Sequence, residues 1–402
     1  MTGLKQNMRR IHIVIQVLFS VVTLYLYLLI KDQNNVPSQV LNSDTANKIS
    51  NINSNTSIQT HHDNHNEHDA DFKLTYNGSF YVYDSIDWMS IKCDGDNLTT
   101  ILQTKWKDFK HADDYWFYKH ALEHPLRTSN PDKASIFIVG GLLNLVMERH
   151  SYTECCIGSV CHFDLFRQVE DMLLNSTWFK RSKGADHLVV ATQFRSTSVL
   201  QPYSVIQSCH WISYFDNIQP KAGRLRVAKT YVGHACPPAA SKTHDIAFIG
   251  SLHPNRTHFQ PRRNACNWLM NQTGSKIWTI KTCGEGQQCP TLAEARMGLH
   301  IGGDTQGSNR LIDTLLSGTV PVLTNKSQYY INAPFFPWKK MTVFAPVNTK
   351  TSFFEGIAKA MVSKAAEFNR VHNISTRVDW HNNYLFEQYM AYISIELQKG
   401  KH

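Results

Sequence analysis

LHIGGDTQGSNRLIDTLLSGTVPVLT, residues Leu299–Thr324, passes from strand to glycine loop to helix and back to strand. Gly298–Ile301 is a short apolar run of strand type, and the loop Gly302–Gly307 carries three glycines. Ser308 stands as N-cap of a helix expected over Ser308–Leu316. Leu311 with Leu315, and Ile312 with Leu316, follow the i,i+4 spacing that packs a helix onto a sheet. Val320–Thr324 reads as the next strand. Exposed amides at such a helix start form a natural phosphate site. Arg310, in the first turn, offers a planar fork to a diphosphate. Asp313 lies three residues on, near the same face, where it could accept from ribose hydroxyls. The plain alternative is an ordinary strand–loop–helix with a solvated salt bridge.

The same alternation extends in both directions. Toward the carboxyl end, the C-terminal segment Asn383–Gln398 is amphipathic and reads as a long helix. Upstream, Asp245–Ser251 reads as strand and turn, Gln260–Gln272 as helix, Lys276–Lys281 as strand and Thr291–Met297 as a short helix. The amino-terminal half offers Phe80–Tyr83 as strand, Ile101–Glu123 as helix, Ala134–Gly140 as a strand buried on both faces, Phe163–Leu174 as helix and His187–Thr192 as strand. Strands alternating with helices imply parallel βαβ units. The Pro- and Gly-containing stretch 220–243 separates two such series. The expectation is two Rossmann-like domains facing a cleft, over 72–225 and 226–375, followed by a helix and tail over 376–402.

Three further groups could carry chemistry. Gly250 and Ser251 follow a strand, and Arg256, Arg262 and Arg263 come soon after; glycine permits close backbone approach and arginines could neutralise a diphosphate. Asp186 and His187 end a loop leading into a strand and are the catalytic candidates, with Asp84 and Asp164 the other choices for a general base and His187 alternatively a ligand. Asp94-Gly-Asp96 and Asp113-Asp114 imitate an acidic metal motif, but no metal site is expected. Nine cysteines, all after residue 92, read as disulfides with at least one left over.

The amino terminus fixes the compartment. Ile11–Ile30 contains no charge and, as a helix, spans roughly 30 Å, the thickness of a bilayer's hydrocarbon core. Lys5, Arg9 and Arg10 precede it, which keeps residues 1–10 cytosolic and sends the remainder to the lumen. The alternative, a cleaved signal peptide, usually has a shorter apolar run and a small-x-small site. Residues 31–71, rich in Asn, Ser, Thr, His and Asp, read as a disordered stem. Sequons at Asn55, Asn77, Asn97, Asn175, Asn255, Asn271, Asn325 and Asn373 suit a secreted-pathway glycoprotein. The net charge of +9 is dispersed, which argues against nucleic acid and suits anionic ligands or simply a basic surface.

Four landmarks in order resemble the exostosin-like glycosyltransferase family. Leu126–Val139 (LRTSNPDKASIFIV) is similar to its R-T-x-D-P-x-x-A-D-x-F-x-V-P. Trp178–His187 (WFKRSKGADH) is similar to its W-x-R-S-x-G-x-D-H. Phe248-Ile-Gly-Ser251 with Arg256 and Arg263 resembles F-x-G-S followed by arginines. Gly303–Asp313 (GDTQGSNRLID), Gly318–Leu323 and Pro334–Trp338 resemble G-D-x-x-x-S-x-R-L-x-D, G-x-x-P-V and P-F-x-x-x-x-W. The resemblance implies an α/β GT-B fold and an inverting transfer without an obligatory metal. It implies a nucleotide-diphosphate-sugar donor, of which a UDP-sugar is the expected form, held by Gly250, Ser251, Arg256, Gly303, Ser308, Arg310 and Asp313. It further implies a single-pass type II protein of the Golgi membrane, adding one hexose or pentose to a glycan or glycoprotein acceptor. Two departures stand out: Ala295–Ile301 lacks the family's Cys and Pro, and Gly140 replaces a proline. No second catalytic domain follows Trp338, which points to a single transfer step. A catalytically silent partner subunit of another glycosyltransferase, or a lectin-like receptor, are the competing readings, and self- or hetero-assembly stays open.

Overall fold

The computed structural model describes residues 73–399, apart from 105, 150–153, 215–223, 235, 237, 238, 240, 273–279 and 285–287. The expected tail 1–10, anchor 11–30 and stem 31–71 lie outside the described residues. Among the described residues no helix is long and apolar enough to cross a membrane. Asp71–His402 form one compact unit.

That unit is mixed α/β, built on two parallel five-stranded sheets. The first contains β1 (Phe80–Tyr83), β2 (Ile136–Val139), β3 (His187–Ala191), β4 (His210–Ser213) and β5 (Arg226–Ala228), in that spatial order. The second contains β6 (His244–Ile249), β7 (Ile280–Gly284), β8 (Ala295–His300), β9 (Val320–Leu323) and β10 (Val343–Phe344), in the order β7-β6-β8-β9-β10. Every pairing in both sheets is parallel. The continuous apolar runs of β2, β3 and β9 are buried along their whole length, as strands covered on both faces must be.

Five helices matter below: α1 (Asp113–Glu123), α2 (Phe163–Asn175), α3 (Gln260–Met270), α4 (Arg310–Leu316) and α5 (Tyr384–Lys399). The periodic pattern located α2, α3 and α5 to within two residues. The helix expected over 101–123 is instead a short helix Leu98–Gln103, a 3₁₀ turn Trp106–Asp108, and then α1. Asn97 caps the first piece by accepting from Thr100 N at 3.0 Å. The helix expected over 291–297 ends at Glu294, and β8 begins at once. Pairing of Ala295 and Met297 with β6 and β9 overrides the helix-forming composition of Ala-Arg-Met.

Strand β5, at Arg226–Ala228, completes the first sheet. Helix α5 is not a free tail: the Phe386 ring contacts Phe80 of β1 at 5.6 Å and Phe117 of α1 at 4.9 Å. The first core therefore runs from β1 through α4 to α5, whereas a separate core lies around Phe248, Leu299, Val322 and Phe353.

Eight of the nine cysteines pair, as Cys93–Cys155, Cys156–Cys161, Cys236–Cys289 and Cys266–Cys283, and Cys209 is free and buried. Cys155 and Cys156 are neighbours in an antiparallel ribbon, where successive side chains point to opposite faces, so they serve two different partners. The Asp94-Gly95 pair is a turn in that ribbon. Both residues have positive φ, and Asp94 Oδ1 accepts from Glu154 N at 3.0 Å.

Candidate active site

The strand order of the second sheet reverses once, between β6 and β8. Crevices beyond the carboxyl ends of parallel strands at such a reversal are where open α/β sheets bind ligands. The loop leaving β6 carries Gly250, Ser251 and Arg256, and the loop leaving β8 carries Gly302–Ser308. The structure thus brings together two segments 50 residues apart that the sequence had singled out separately.

Arg262 of α3 fastens the two loops. It is 6% exposed, and its guanidinium donates to Ser251 O at 3.1 Å, Gly302 O at 2.9 Å and Ile301 O at 3.2 Å. It stacks over Phe259 at 4.5 Å. A side chain at Gly303 would collide with this guanidinium, which is why the loop needs glycine there. Arg310 opens α4 and lies over the Phe248 ring at 5.6 Å. A Cβ at Gly250 would come within 2.9 Å of its Nη2. Burial, followed by repulsion from Arg262, pulls the Arg310 pKa down to about 10. Burial likewise lowers Arg262. Among the described residues neither guanidinium has a carboxylate within ion-pair distance, and Asp313 and Asp304 offset the burial of Arg310 and Arg262 only as smaller effects, so two buried cations lie together at this reversal. An anionic ligand is the natural complement of that arrangement.

The remaining expected residues fall around this pair in different ways. Ser308 is not the N-cap. Asn309 takes that position without a side-chain cap, and Ser308 Oγ instead lies 3.4 Å from Arg310 Nη1. Helix α4 spans only Arg310–Leu316, so its dipole contributes little and the arginines dominate. Asp313 is fully buried. One oxygen accepts from His234 N at 2.6 Å and the other from Asn309 Nδ2 at 2.7 Å. It braces the segment at His234 against α4. Arg256 is on the rim, paired with Asp304 at 2.7 Å, and His258 shares the same carboxylate at 3.0 Å. Arg263 ties the β6 loop to itself through Leu252 O, His253 O and Arg256 O.

Asp186 and His187 do not reach this crevice. His187 is the first residue of β3, at the amino edge of a parallel strand, roughly 15 Å from the carboxyl edge at about 3.3 Å per residue. Its ring is fully buried and stacked on Phe137 at 4.8 Å, with Nδ1 on Asp186 at 2.6 Å and Nε2 on Tyr83 Oη at 2.9 Å. The pair packs at the amino edge of the first sheet.

The carboxyl edge of the first sheet meets the glycine loop directly. Tyr214, after β4, donates to Thr305 Oγ1 at 2.5 Å. Tyr231, shortly after β5, places its hydroxyl 3.2 Å from where a Cβ of Gly307 would stand. Behind them lies a buried polar group of which only Asp113 stood out in the sequence: Lys229, His111, Asp113 and Asn144. Lys229 Nζ lies 2.8 Å from His111 Nδ1 and 3.8 Å from Asp113 Oδ1. Burial, opposed by Asp113, lowers the Lys229 pKa to about 8. Burial and then Asp113 push Asp114 well above the usual carboxylate range. Both aspartates are fully enclosed, and Asp114 accepts from the Tyr115 and Asn144 amides at 2.7 Å each. They form part of the frame of the first sheet and do not present an open acidic motif. Among the described residues, the one His/Cys/Asp/Glu grouping with metal-holding spacing is Glu154 with Cys156 and Cys161, whose sulfurs are joined to each other.

No protein-family model matches the chain, and no curated protein matches it by sequence. Among solved structures, it is similar to the pneumococcal O-GlcNAc transferase GtfA in complex with UDP and GlcNAc, at 8% identity and TM-score 0.27, over 56% of this chain and 48% of that one. It is similar to TarM at 7% identity and TM-score 0.30, over 57% and 58% of the two chains. It is also similar to sucrose-phosphate synthase from Thermosynechococcus elongatus at 9% identity and TM-score 0.29, over 66% and 67%. The chain thus spans between 48% and 58% of the length of the first solved structures it matches. Likenesses of this size carry no weight for the chemistry.

Proposed function

We propose that this chain is a GT-B glycosyltransferase that transfers one sugar, with inversion, from a nucleotide-diphosphate sugar to a glycan or glycoprotein acceptor. The observation that carries the reading is the pair Arg262 and Arg310: two desolvated guanidiniums with no carboxylate within ion-pair distance among the described residues, at the strand-order reversal of the second sheet. A diphosphate leaving group brings the negative charge this crevice lacks. Arginines held in place before the reaction stabilise that charge as the sugar departs, so the transfer needs no metal ion. Arg310 is the residue offered to the diphosphate, Arg262 the one that fixes both loops, and Gly250 and Gly303 the positions that leave room for them. Arg256 and Asp304 form the rim of the donor pocket. The first sheet carries the acceptor and the second the donor, with a UDP-sugar as the expected form. Residues 11–30 anchor the protein as a type II membrane protein of the Golgi, with the catalytic unit lumenal.

The test is a titration of the full chain in lipid nanodiscs with UDP- and GDP-sugars, following binding and donor hydrolysis with and without EDTA. At least one donor binds, and EDTA leaves the turnover unchanged. Absence of binding by any nucleotide refutes the reading. Loss of turnover with EDTA refutes its metal-independent form.

A further inference from the structure

The carboxyl edge of the first sheet holds a second arrangement that the donor pocket does not use. Lys229 is 1% exposed, with its Nζ on His111 Nδ1 at 2.8 Å and 3.8 Å from Asp113 Oδ1. An ammonium can only donate, so its bond to Nδ1 leaves the imidazole proton on Nε2 and fixes one tautomer of His111. Burial, reinforced by the Lys229 charge, holds the His111 pKa well below its ordinary value and keeps the ring neutral. His111 is 2% exposed, and among the described residues nothing hydrogen-bonds its Nε2. Asn144 holds this frame rigid: it donates to His111 O at 2.9 Å and Thr192 Oγ1 at 2.7 Å, and accepts from the Thr192 and Gln193 amides.

Beside this fixed N–H lies Phe194, which follows β3 and is 46% exposed. Its ring centroid is 6.4 Å from that of His111. Arg195 packs over the Phe194 ring at 5.5 Å while donating to Met147 O at 3.0 Å. On the other side the His111 ring lies 6.0 Å from Tyr231, the residue that meets the glycine loop at Gly307. A part-exposed aromatic ring beside an oriented N–H has the two properties that a pyranose ring needs. Its C–H face packs on the aromatic ring, and its hydroxyl or ring oxygen accepts from the N–H. An apolar patch for another protein would not need the second property.

We propose that Phe194 and His111 form a saccharide subsite, Phe194 as the stacking floor and His111 Nε2–H as the donor to a sugar oxygen, with Lys229 holding the tautomer. This rests on the glycosyltransferase reading, under which the subsite receives the acceptor next to the donor loop.

The experiment uses the full chain in lipid nanodiscs with methyl β-glucopyranoside, methyl β-galactopyranoside and methyl β-xylopyranoside at millimolar concentration. Saturation-transfer NMR reports glycoside contact and calorimetry reports UDP affinity. At least one glycoside receives saturation, strongest at its ring C–H protons. Phe194→Ala abolishes the effect, His111→Ala weakens it several-fold, and both variants keep wild-type UDP affinity as the sign of an intact fold. The subsite is overturned if UDP binds and no glycoside is saturated, or if Phe194→Ala leaves saturation unchanged. If UDP does not bind but saturation depends on Phe194, the subsite stands and the transferase reading falls. If neither is seen, both fall.

Discussion

Replacing Arg262 by methionine separates the residue that builds the pocket from the one that meets the ligand. Arg262 is 6% exposed and its guanidinium donates to three carbonyls, those of Ser251, Gly302 and Ile301. Hydrogen bonds from a charged group contribute about 1.5–3 kcal/mol each, so three sum to roughly 4.5–9 kcal/mol. Methionine also removes a desolvated charge, and that relief of several kcal/mol offsets much of the loss. What remains is about 2–4 kcal/mol, chiefly the three buried carbonyls left without donors. The compact unit Asp71–His402 has an unfolding entropy of about 0.7 kcal/mol/K, at roughly 2.1 cal/mol/K per residue. Arg262→Met therefore lowers the melting temperature by about 3–6 °C. Differential scanning calorimetry measures this directly, and UDP affinity falls with it because both loops lose their tie. A melting temperature within about 1 °C of wild type would refute the assignment of Arg262 as the loop clamp.

Three further outcomes follow from the same geometry. Gly250→Ala puts a methyl group 2.9 Å from the Arg310 guanidinium, so it weakens UDP binding about 3- to 30-fold, a cost of about 0.7–2 kcal/mol, with little change in melting temperature. Burial, aided by Arg310 and Arg262, lowers the His300 pKa to about 3, while an unfolded histidine protonates near pH 6.5. Between those values the unfolded chain binds the extra proton, so His300 contributes stability that is present above pH 6.5 and lost as pH falls toward 3. His300→Gln flattens the loss of melting temperature between pH 6.5 and 4, and an unchanged slope contradicts the account. Cys209 is the free thiol and is fully enclosed, with burial pushing its pKa up to about 12. Thiol titration of the native unit finds no reactive cysteine and, after denaturation without reductant, one; more than one would contradict the four disulfides.

How much was legible in the sequence depends on how local each signal was. The run Phe80–Tyr83 and the buried strands β2, β3 and β9 were readable because apolar continuity needs only adjacent residues. The glycine loop and Arg310 were readable for the same reason: strand, loop and helix follow each other within one stretch. Strands β4 and β5 were not, since His210-Trp-Ile-Ser and Arg226-Val-Ala alternate weakly and owe their state to pairing with β3 and with each other. Which end of the sheet Asp186 and His187 occupy was not legible, because a polar pair beside a strand looks alike at either end. Chain direction decides it, and His187 starts its strand. The burial of Asp313 was not legible because helical spacing gives a face but not what covers it, and the covering segment, at His234, is 79 residues away. His111, Asn144 and Lys229 carry no shared motif. Only the sheet brings them together.

The central claim is that Arg310 meets the diphosphate of a nucleotide sugar, and calorimetric titration of wild type and Arg310→Ala with UDP tests it most directly. Among the described residues the Arg310 side chain has a 3.4 Å contact to Ser308 Oγ and lies over the Phe248 ring, and it makes no ion pair, so calorimetric melting of the variant is recorded alongside to separate lost binding from lost fold. Wild type binds UDP, and Arg310→Ala binds it roughly 10- to 150-fold more weakly, the loss of about 1.5–3 kcal/mol expected for a charged hydrogen bond. Equal affinity in the two proteins, or no binding by wild type, would contradict it.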